Sequence, residues 1–178
     1  MDLIADRGRR VTVEELNTSK LLAHAAEQAR ERKYDDILIV DCDAHHYENE
    51  NFNEILPFIE NDVLRQLTLS GRAKGRNSIV PGQVGYQDMG GRVTRYPLRM
   101  TEKTEPGRLR DVQLGERWMD AMGVDYSCLF PTGMLNVGLH PQKEMEVELC
   151  WAYNRWLTEV VLPENHGRFY TQLALPLS

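Results

Sequence analysis

The sequence predicts an α/β protein in which strands alternate with helices around a parallel sheet. Residues 37–40 form a short, uninterrupted aliphatic run, which is typical of a strand buried on both faces of such a sheet. Two further apolar runs, at 124–130 and 169–175, are separated from it and from each other by segments with helical spacing. The predicted order is a helix followed by β-α-loop-α-β-α-β, and this alternation favours parallel strands.

The first predicted element is a helix over residues 12–32. Thr12 and Glu15 have the spacing of a capping box, in which each side chain bonds a backbone amide at the start of the helix. The charged run at 30–33 closes the helical pattern. We therefore divide the chain into an N-terminal helical extension, residues 1–35, and a β/α domain, residues 36–178.

Within the β/α domain, the first strand occupies 36–40 and ends abruptly at polar residues. The remaining elements follow from apolar spacing and from glycine or proline stop signals. They are a helix at 52–69 disturbed by Pro57 and stopped at Gly71, a long loop at about 71–107, a helix at 108–122 stopped at Gly123, a strand at 124–130 closed by Pro131, a helix at 141–162, and a strand at 169–175.

Composition limits the partners and the compartment. A net charge of -6 gives no electrostatic reason to expect binding to nucleic acid or to an anionic membrane. The three cysteines form no CxxC pair, which favours reduced thiols in a cytoplasmic protein. No apolar stretch reaches about 18 residues and no secretory signal opens the sequence, so we expect no membrane span.

Metal-ligand residue types cluster where the first strand ends. If the strand stays regular, Asp41, Asp43 and His45 point to one side and Cys42 and Ala44 to the other. Carboxylate and imidazole bind zinc, manganese or iron, and active sites of parallel barrels lie at the carboxyl ends of their strands. The same cluster also suits turn capping or a surface ion pair, because two or three ligands do not complete a zinc site.

Three nearby residues are weaker candidates. His46 faces away from His45 in a regular strand, which favours a packed histidine or one that orients a ligand over one that contacts substrate, although a bulge could turn it inward. Glu48 suits a metal ligand, a residue that orients a ligand, or a loop residue equally well. His140 follows the second strand, where either substrate contact or simple solvation is expected.

The segment Asp43-Ala44-His45 with Glu48 resembles the opening motif of the amidohydrolase superfamily. The similarity is to the amidohydrolase-2 branch, which includes aminocarboxymuconate-semialdehyde decarboxylase. Three further segments match that branch in order and spacing. They are Gly123-Val124-Asp125 leading to Leu129-Phe130-Pro131-Thr132, then Tyr153-Asn154-Arg155-Trp156-Leu157, and then Arg168-Phe169 before Leu173-Ala174-Leu175-Pro176.

The resemblance implies a metal-dependent enzyme built on a (β/α)₈ barrel of the TIM type. Asp43, His45 and Glu48 would be metal ligands, with zinc as the leading metal and manganese or iron as alternatives. The implied reaction is hydrolysis of a C–N or C–O bond, or non-oxidative decarboxylation, of a small carboxylic or amide substrate.

The chain departs from the family in length. A (β/α)₈ barrel needs about 250 residues, and these 178 residues supply about three strands. The histidines and aspartate that later strands contribute in the family are missing here. We therefore expect a longer natural chain, a homo-oligomer, or a second chain that completes the barrel. The alternative is a non-catalytic accessory subunit or an inactive fragment. A nucleotide-binding domain is disfavoured because neither a GxGxxG motif nor a P-loop follows the first strand.

Overall fold

A computed structural model of the chain describes residues 18–46, 52–73 and 105–177. The strands are β1 (Val40–His46), β2 (Tyr126–Pro131) and β3 (Phe169–Thr171). The helices are α1 (Thr18–Glu31), α2 (Phe52–Ile55), α3 (Asp62–Ala73), α4 (Arg110–Met122), α5 (Lys143–Trp156) and α6 (Leu162–Glu164). The Thr12–Glu15 capping box and most of the predicted long loop lie outside the described residues.

The strands form one parallel sheet in the order β1-β2-β3. Spatial order equals chain order, so each helical connection leads to the next strand along. Right-handed connections of this kind place their helices on the same face of a sheet. The predicted mixed α/β architecture with parallel strands is thereby confirmed for the described residues.

The register between β1 and β2 contains a bulge. Asp41 pairs with Ser127, and Ala44 pairs with Leu129. Three steps along β1 therefore match two steps along β2, and the extra residue interrupts the alternation of side chains between the two faces. This irregularity decides which polar side chains of β1 share a face.

The two faces of the sheet differ in burial. The side packed against helices carries Ala44, His46, Ser127, Leu129 and Phe169, all of which are buried. The other side is called the open face below, because several of its residues are exposed or only partly buried. The open face comprises Val40, Cys42, Asp43, His45, Tyr126, Cys128, Phe130 and Tyr170.

The core lies between the sheet and the helices. Leu149, Tyr153 and Trp156 of α5 pack with Ala44 and Phe169 of the sheet in one cluster of buried side chains. Met119 and Val112 of α4, together with Phe52 and Ile55 of α2, belong to the same cluster. The α5 helix thus forms the main support beneath β1.

The predicted first strand is placed wrongly. The aliphatic run at 37–40 was expected to be a strand buried on both faces, but β1 begins at Val40, and Ile37 and Leu38 are 55% and 73% exposed. The polar residues from Asp41 to His46 form the strand instead. Ile37 and Leu38 precede β1 and take no part in its register with β2, so their aliphatic character did not lead to burial in the sheet.

The predicted helix at 52–69 is broken in the structure. It becomes α2, a 3₁₀ turn at Leu56–Phe58, and a separate helix α3 that continues past Gly71 to Ala73. Pro57 lacks an amide donor, which ends the first piece. The Asn61 side chain accepts hydrogen bonds from the amides of Val63 (3.0 Å) and Leu64 (3.2 Å), and this cap begins α3.

The helix ending at Gly123 is confirmed. Gly123 has φ +68°, and its backbone amide donates a hydrogen bond to the carbonyl oxygen of Met119. This bond closes the C-terminus of α4. A Cβ at this position would lie 3.0 Å from Cβ of Tyr34, so the end of α4 approaches the chain just after α1 closely. The α1 helix also packs along α4, so the predicted N-terminal extension contacts the β/α domain.

The predicted third strand is shorter than expected. Only Phe169–Thr171 pair with β2, and the chain from 172 to 177 continues as an extended strap over α5. Asn154 exchanges two hydrogen bonds of 2.8 Å with the backbone of Ala174, and the amide of Leu177 donates to Oε1 of Glu146 at 2.6 Å. Among the described residues, no helix is long and apolar enough to cross a membrane.

Candidate metal centre

Asp43 and His45 meet on the open face near the carboxyl end of β1. Oδ1 of Asp43 lies 3.2 Å from Nε2 of His45. The Asp43 side chain is 80% exposed, whereas that of His45 is 19% exposed. The pair therefore consists of a solvated carboxylate and a partly enclosed imidazole, both accessible from the open face.

The bulge in β1 brings this pair together and separates Asp41 from it. Asp41 pairs with Ser127, a buried residue on the helix side, whereas His45 pairs with Phe130. Ser127 and Phe130 are three residues apart in β2, so their side chains point to opposite faces of the sheet. Asp41 and His45, which pair with them, therefore also belong to opposite faces. Oδ1 of Asp41 accepts a hydrogen bond from the Asp43 amide at 3.0 Å, which stabilises the bulge. The expectation that Cys42 points to the same side as Ala44 is wrong, because Cys42 is exposed and Ala44 is buried.

Thr132 supports the imidazole from the neighbouring strand end. Its Oγ1 lies 3.3 Å from Nδ1 of His45, and its amide donates to the carbonyl oxygen of His46 at 3.1 Å. A hydroxyl at Nδ1 fixes the ring so that Nε2 faces Asp43, the arrangement that metal-binding histidines commonly use. Sequence reasoning gave Thr132 no role. Its position directly after β2 was the available signal, because neighbouring parallel strands end at the same edge of a sheet.

His46 lies on the other side of β1, in the interior. It is buried, and its Nε2 is 2.7 Å from the hydroxyl oxygen of Tyr153. Its ring stacks on Tyr153 and Trp156, with centroid separations of 5.7 Å and 5.9 Å. The structure therefore places His46 among core aromatics and away from the Asp43–His45 pair.

His140 is held at the start of α5. Its Nδ1 accepts a hydrogen bond of 3.1 Å from the amide of Gln142, the residue that precedes α5. This local contact ties His140 to the beginning of that helix. Glu48, the third predicted ligand, lies outside the described residues.

The donor set fits half of a metal site. Zinc in proteins takes three or four protein ligands, and Asp43 with His45 provides two adjacent donors supported by Thr132. Across residues 18–46, 52–73 and 105–177, no group of three or more His, Cys, Asp or Glu side chains is arranged to hold a metal ion. A site with three or four protein ligands would therefore need donors from outside these ranges.

Comparison with known proteins adds no relative. No protein-family model, no curated protein and no solved structure matches this chain.

Proposed function

We propose that this chain forms the first strands of an amidohydrolase-type (β/α)₈ barrel, in which Asp43 and His45 hold a divalent metal. The observation that carries the proposal is the 3.2 Å approach of Asp43 Oδ1 to His45 Nε2 near the carboxyl end of β1. The Thr132 hydroxyl beside Nδ1 adds the kind of support that orients a metal-binding imidazole.

The sheet order supports the barrel part of the proposal. A sheet whose strands follow chain order, with its helices on one side, leaves the other side to face the lumen when further strands close the barrel. The open face has the composition that such a lumen would need, with Asp43 and His45 toward the carboxyl ends of the strands and Val40 and Tyr126 at the amino ends. Parallel sheets are normally covered on both faces.

A bound metal would polarise a substrate carbonyl or carboxylate, or lower the pKa of a coordinated water. The reaction class proposed is hydrolysis of a C–N or C–O bond, or non-oxidative decarboxylation, in a small carboxylic or amide substrate. Within this chain, Asp43 and His45 would bind the metal and Thr132 would orient His45. The general acid or base would come from the part of the barrel that completes the site.

Zinc titration of the 178-residue chain tests the proposal. We expect weak binding, because a two-donor site is incomplete, with changes in the NMR signals of the His45 ring. Asp43→Asn and His45→Gln should each weaken binding by at least about tenfold. His24→Gln is the matched control, since His24 is an exposed histidine on α1. Binding that is equally strong in all three variants would exclude Asp43 and His45 as ligands.

A second candidate function rests on the open face itself. An accessory chain without catalysis could use this face to pair with a fuller barrel, because Tyr170 and Val40 are apolar and exposed there. Tyr170→Glu should then weaken the complex of this chain with such a barrel, as measured by sedimentation. Val63→Glu on α3, also at an exposed apolar residue, should leave that complex unchanged. An isolated chain that stays monomeric under all conditions would count against this function.

A further inference from the structure

Two thiols lie in neighbouring strands at the same level of the open face. Asp41 pairs with Ser127 and Ala44 with Leu129, so the intervening bulge residues of β1, including Cys42, lie opposite Cys128. Cys42 is exposed, Cys128 is partly buried, and both are free thiols. Cys128 lies between two buried residues of β2, which places its side chain on the open face.

The spacing of the strands suits a disulfide between these residues. Adjacent strands lie about 4.7–4.9 Å apart, and disulfides join residues whose Cα atoms are about 4.4–6.8 Å apart. The Sγ atom of Cys42 contacts the carbonyl oxygen of Val40 at 3.8 Å, which keeps the thiol close to the strand.

We propose that Cys42 and Cys128 are a redox-responsive thiol pair that a peroxide closes to an intramolecular disulfide. The Cys42 thiolate attacks one peroxide oxygen, the O–O bond breaks, and Cys42 becomes a sulfenic acid while hydroxide leaves and is protonated to water. The Cys128 thiolate then attacks the Cys42 sulfur and expels the second oxygen as water. Both sulfurs are oxidised, and hydrogen peroxide is reduced to two waters.

The disulfide would fasten β1 to β2 beside Asp43. Because Cys42 and Asp43 are the neighbouring residues of the bulge, a bond at Cys42 constrains the backbone that positions the Asp43 carboxylate. This inference does not rest on the proposed metal chemistry. Disulfide formation is measured on the metal-free chain, so its failure and the failure of metal binding are distinguishable.

Cys150 provides an internal reference. It is buried in the core on α5, and burial, with a further contribution from the charge of Glu146, raises its pKa to about 11. A thiol that is both enclosed and protonated at neutral pH reacts slowly with peroxides and alkylating reagents. Alkylation of Cys150 should therefore require unfolding, and it reports whether the chain stays folded during oxidation.

The test treats the 178-residue chain with hydrogen peroxide, alkylates the remaining thiols, and identifies the products by peptide mass spectrometry. We expect a Cys42–Cys128 cross-linked peptide, a monomer on a non-reducing gel, and reversal by reduced glutathione. Cys42→Ser and Cys128→Ser should each abolish the cross-link, with circular dichroism confirming the fold.

Three results would overturn the proposal. Cys42 could be oxidised to a sulfinic acid while Cys128 remains alkylatable. A disulfide could instead join Cys42 residues of two copies, which a non-reducing gel separates from the intramolecular product. Finally, both thiols could remain alkylatable after peroxide treatment, with Cys150 still protected.

Discussion

His46 fixes β1 onto α5 through one side chain. Its Nε2 contacts the Tyr153 hydroxyl at 2.7 Å, and its ring stacks on Tyr153 and Trp156 of α5. Trp156, one of these neighbours, donates its indole hydrogen to Oε2 of Glu54 at 3.1 Å, so the aromatic group is also tied to α2. Because His45 is the adjacent residue, these buried contacts hold the strand end that presents it on the open face.

Removal of the Tyr153 hydroxyl should destabilise the fold. In Tyr153→Phe the buried imidazole of His46 loses its hydroxyl contact, and such a loss costs about 1–3 kcal/mol. We expect a matching fall in the free energy of unfolding measured with urea. Tyr170→Phe is the control, because Tyr170 is exposed on the open face. Equal unfolding midpoints for the two variants would show that the His46 contact contributes nothing measurable.

Strand alternation predicted part of this residue-scale arrangement. It placed Asp43 and His45 on one side and His46 on the other, and the structure has this arrangement. It could not predict the separation of Asp41 or the exposure of Cys42, because these depend on the bulge. A bulge depends on how two strands pair over a long sequence separation. The local residue pattern of β1 does not determine that pairing, so the bulge could not be predicted from it.

At the scale of elements, α4 and β3 approach each other unusually closely at Gly115. A Cβ built at Gly115 would lie 2.8 Å from Cζ of Phe169. Phe169 is buried in the core, so its ring has little room to move. The glycine therefore costs helix propensity in α4 but lets the helix contact the third strand.

Gly115→Ala should be destabilising even though alanine is the better helix former. Alanine gains about 1 kcal/mol of helix propensity, whereas overpacking a core costs about 1–3 kcal/mol, for a net loss of about 1 kcal/mol. Thermal unfolding would measure the loss. In a Phe169→Leu background, where the ring is absent, the same change should be neutral or stabilising. A stabilising effect in both backgrounds would contradict the close contact.

Sequence patterns located the ends of α4 and β2 best. Gly123 caps α4 and Pro131 is the last residue of β2, close to the predicted stops, whereas α3 runs past the predicted stop at Gly71 to Ala73. The break between α2 and α3 was missed because its apolar spacing continues across it, and the cap at Asn61 is a single polar residue within that pattern. The length of β3 was also missed, because residues after 171 bond to side chains of α5 instead of to β2.

At the scale of the whole molecule, a charged group joins distant parts of the chain. Glu116 of α4 accepts hydrogen bonds from Arg108 at 2.9 Å and contacts Nδ1 of His166 at 2.8 Å. Its side chain is only 14% exposed. Burial alone would raise the pKa of Glu116, but Arg108 and His166 together outweigh burial and lower it.

This network should make stability depend on pH in the acidic range. A carboxyl whose pKa is lowered by folding stabilises the folded state above its unfolded pKa, and the contribution is lost as pH falls. Glu116→Gln should therefore be less stable than the parent chain at pH 6. The difference should shrink as pH falls below the ordinary glutamate value of about 4.5.

Urea unfolding at pH 6, 4 and 3 would measure this effect. Glu31→Gln is the control, because Glu31 is exposed at the end of α1. The two variants should differ most at pH 6 and least at pH 3. A difference between Glu116→Gln and the parent chain that stays constant over this range would contradict a pKa-linked contribution.

The overall architecture was the most predictable property, since alternating strand and helix patterns already favoured a parallel sheet. Whether the sheet closes into a barrel depends on contacts across the open face, and these lie beyond the patterns of individual elements. The proposed metal site shares this cause, because local patterns can pair Asp43 with His45 but cannot locate ligands that a distant strand would supply.

The bulge in β1 also affects how this strand should be aligned with that of any other protein. Without Cys42, Asp43 would pair opposite Cys128 in a regular strand, and both Asp43 and His45 would keep their face. A one-residue gap at Cys42 is therefore compatible with the same site. A gap between Ala44 and His46 would instead change the face of the sheet from which a histidine projects. A gap at Cys42 therefore preserves the Asp43–His45 arrangement, whereas a gap between Ala44 and His46 does not.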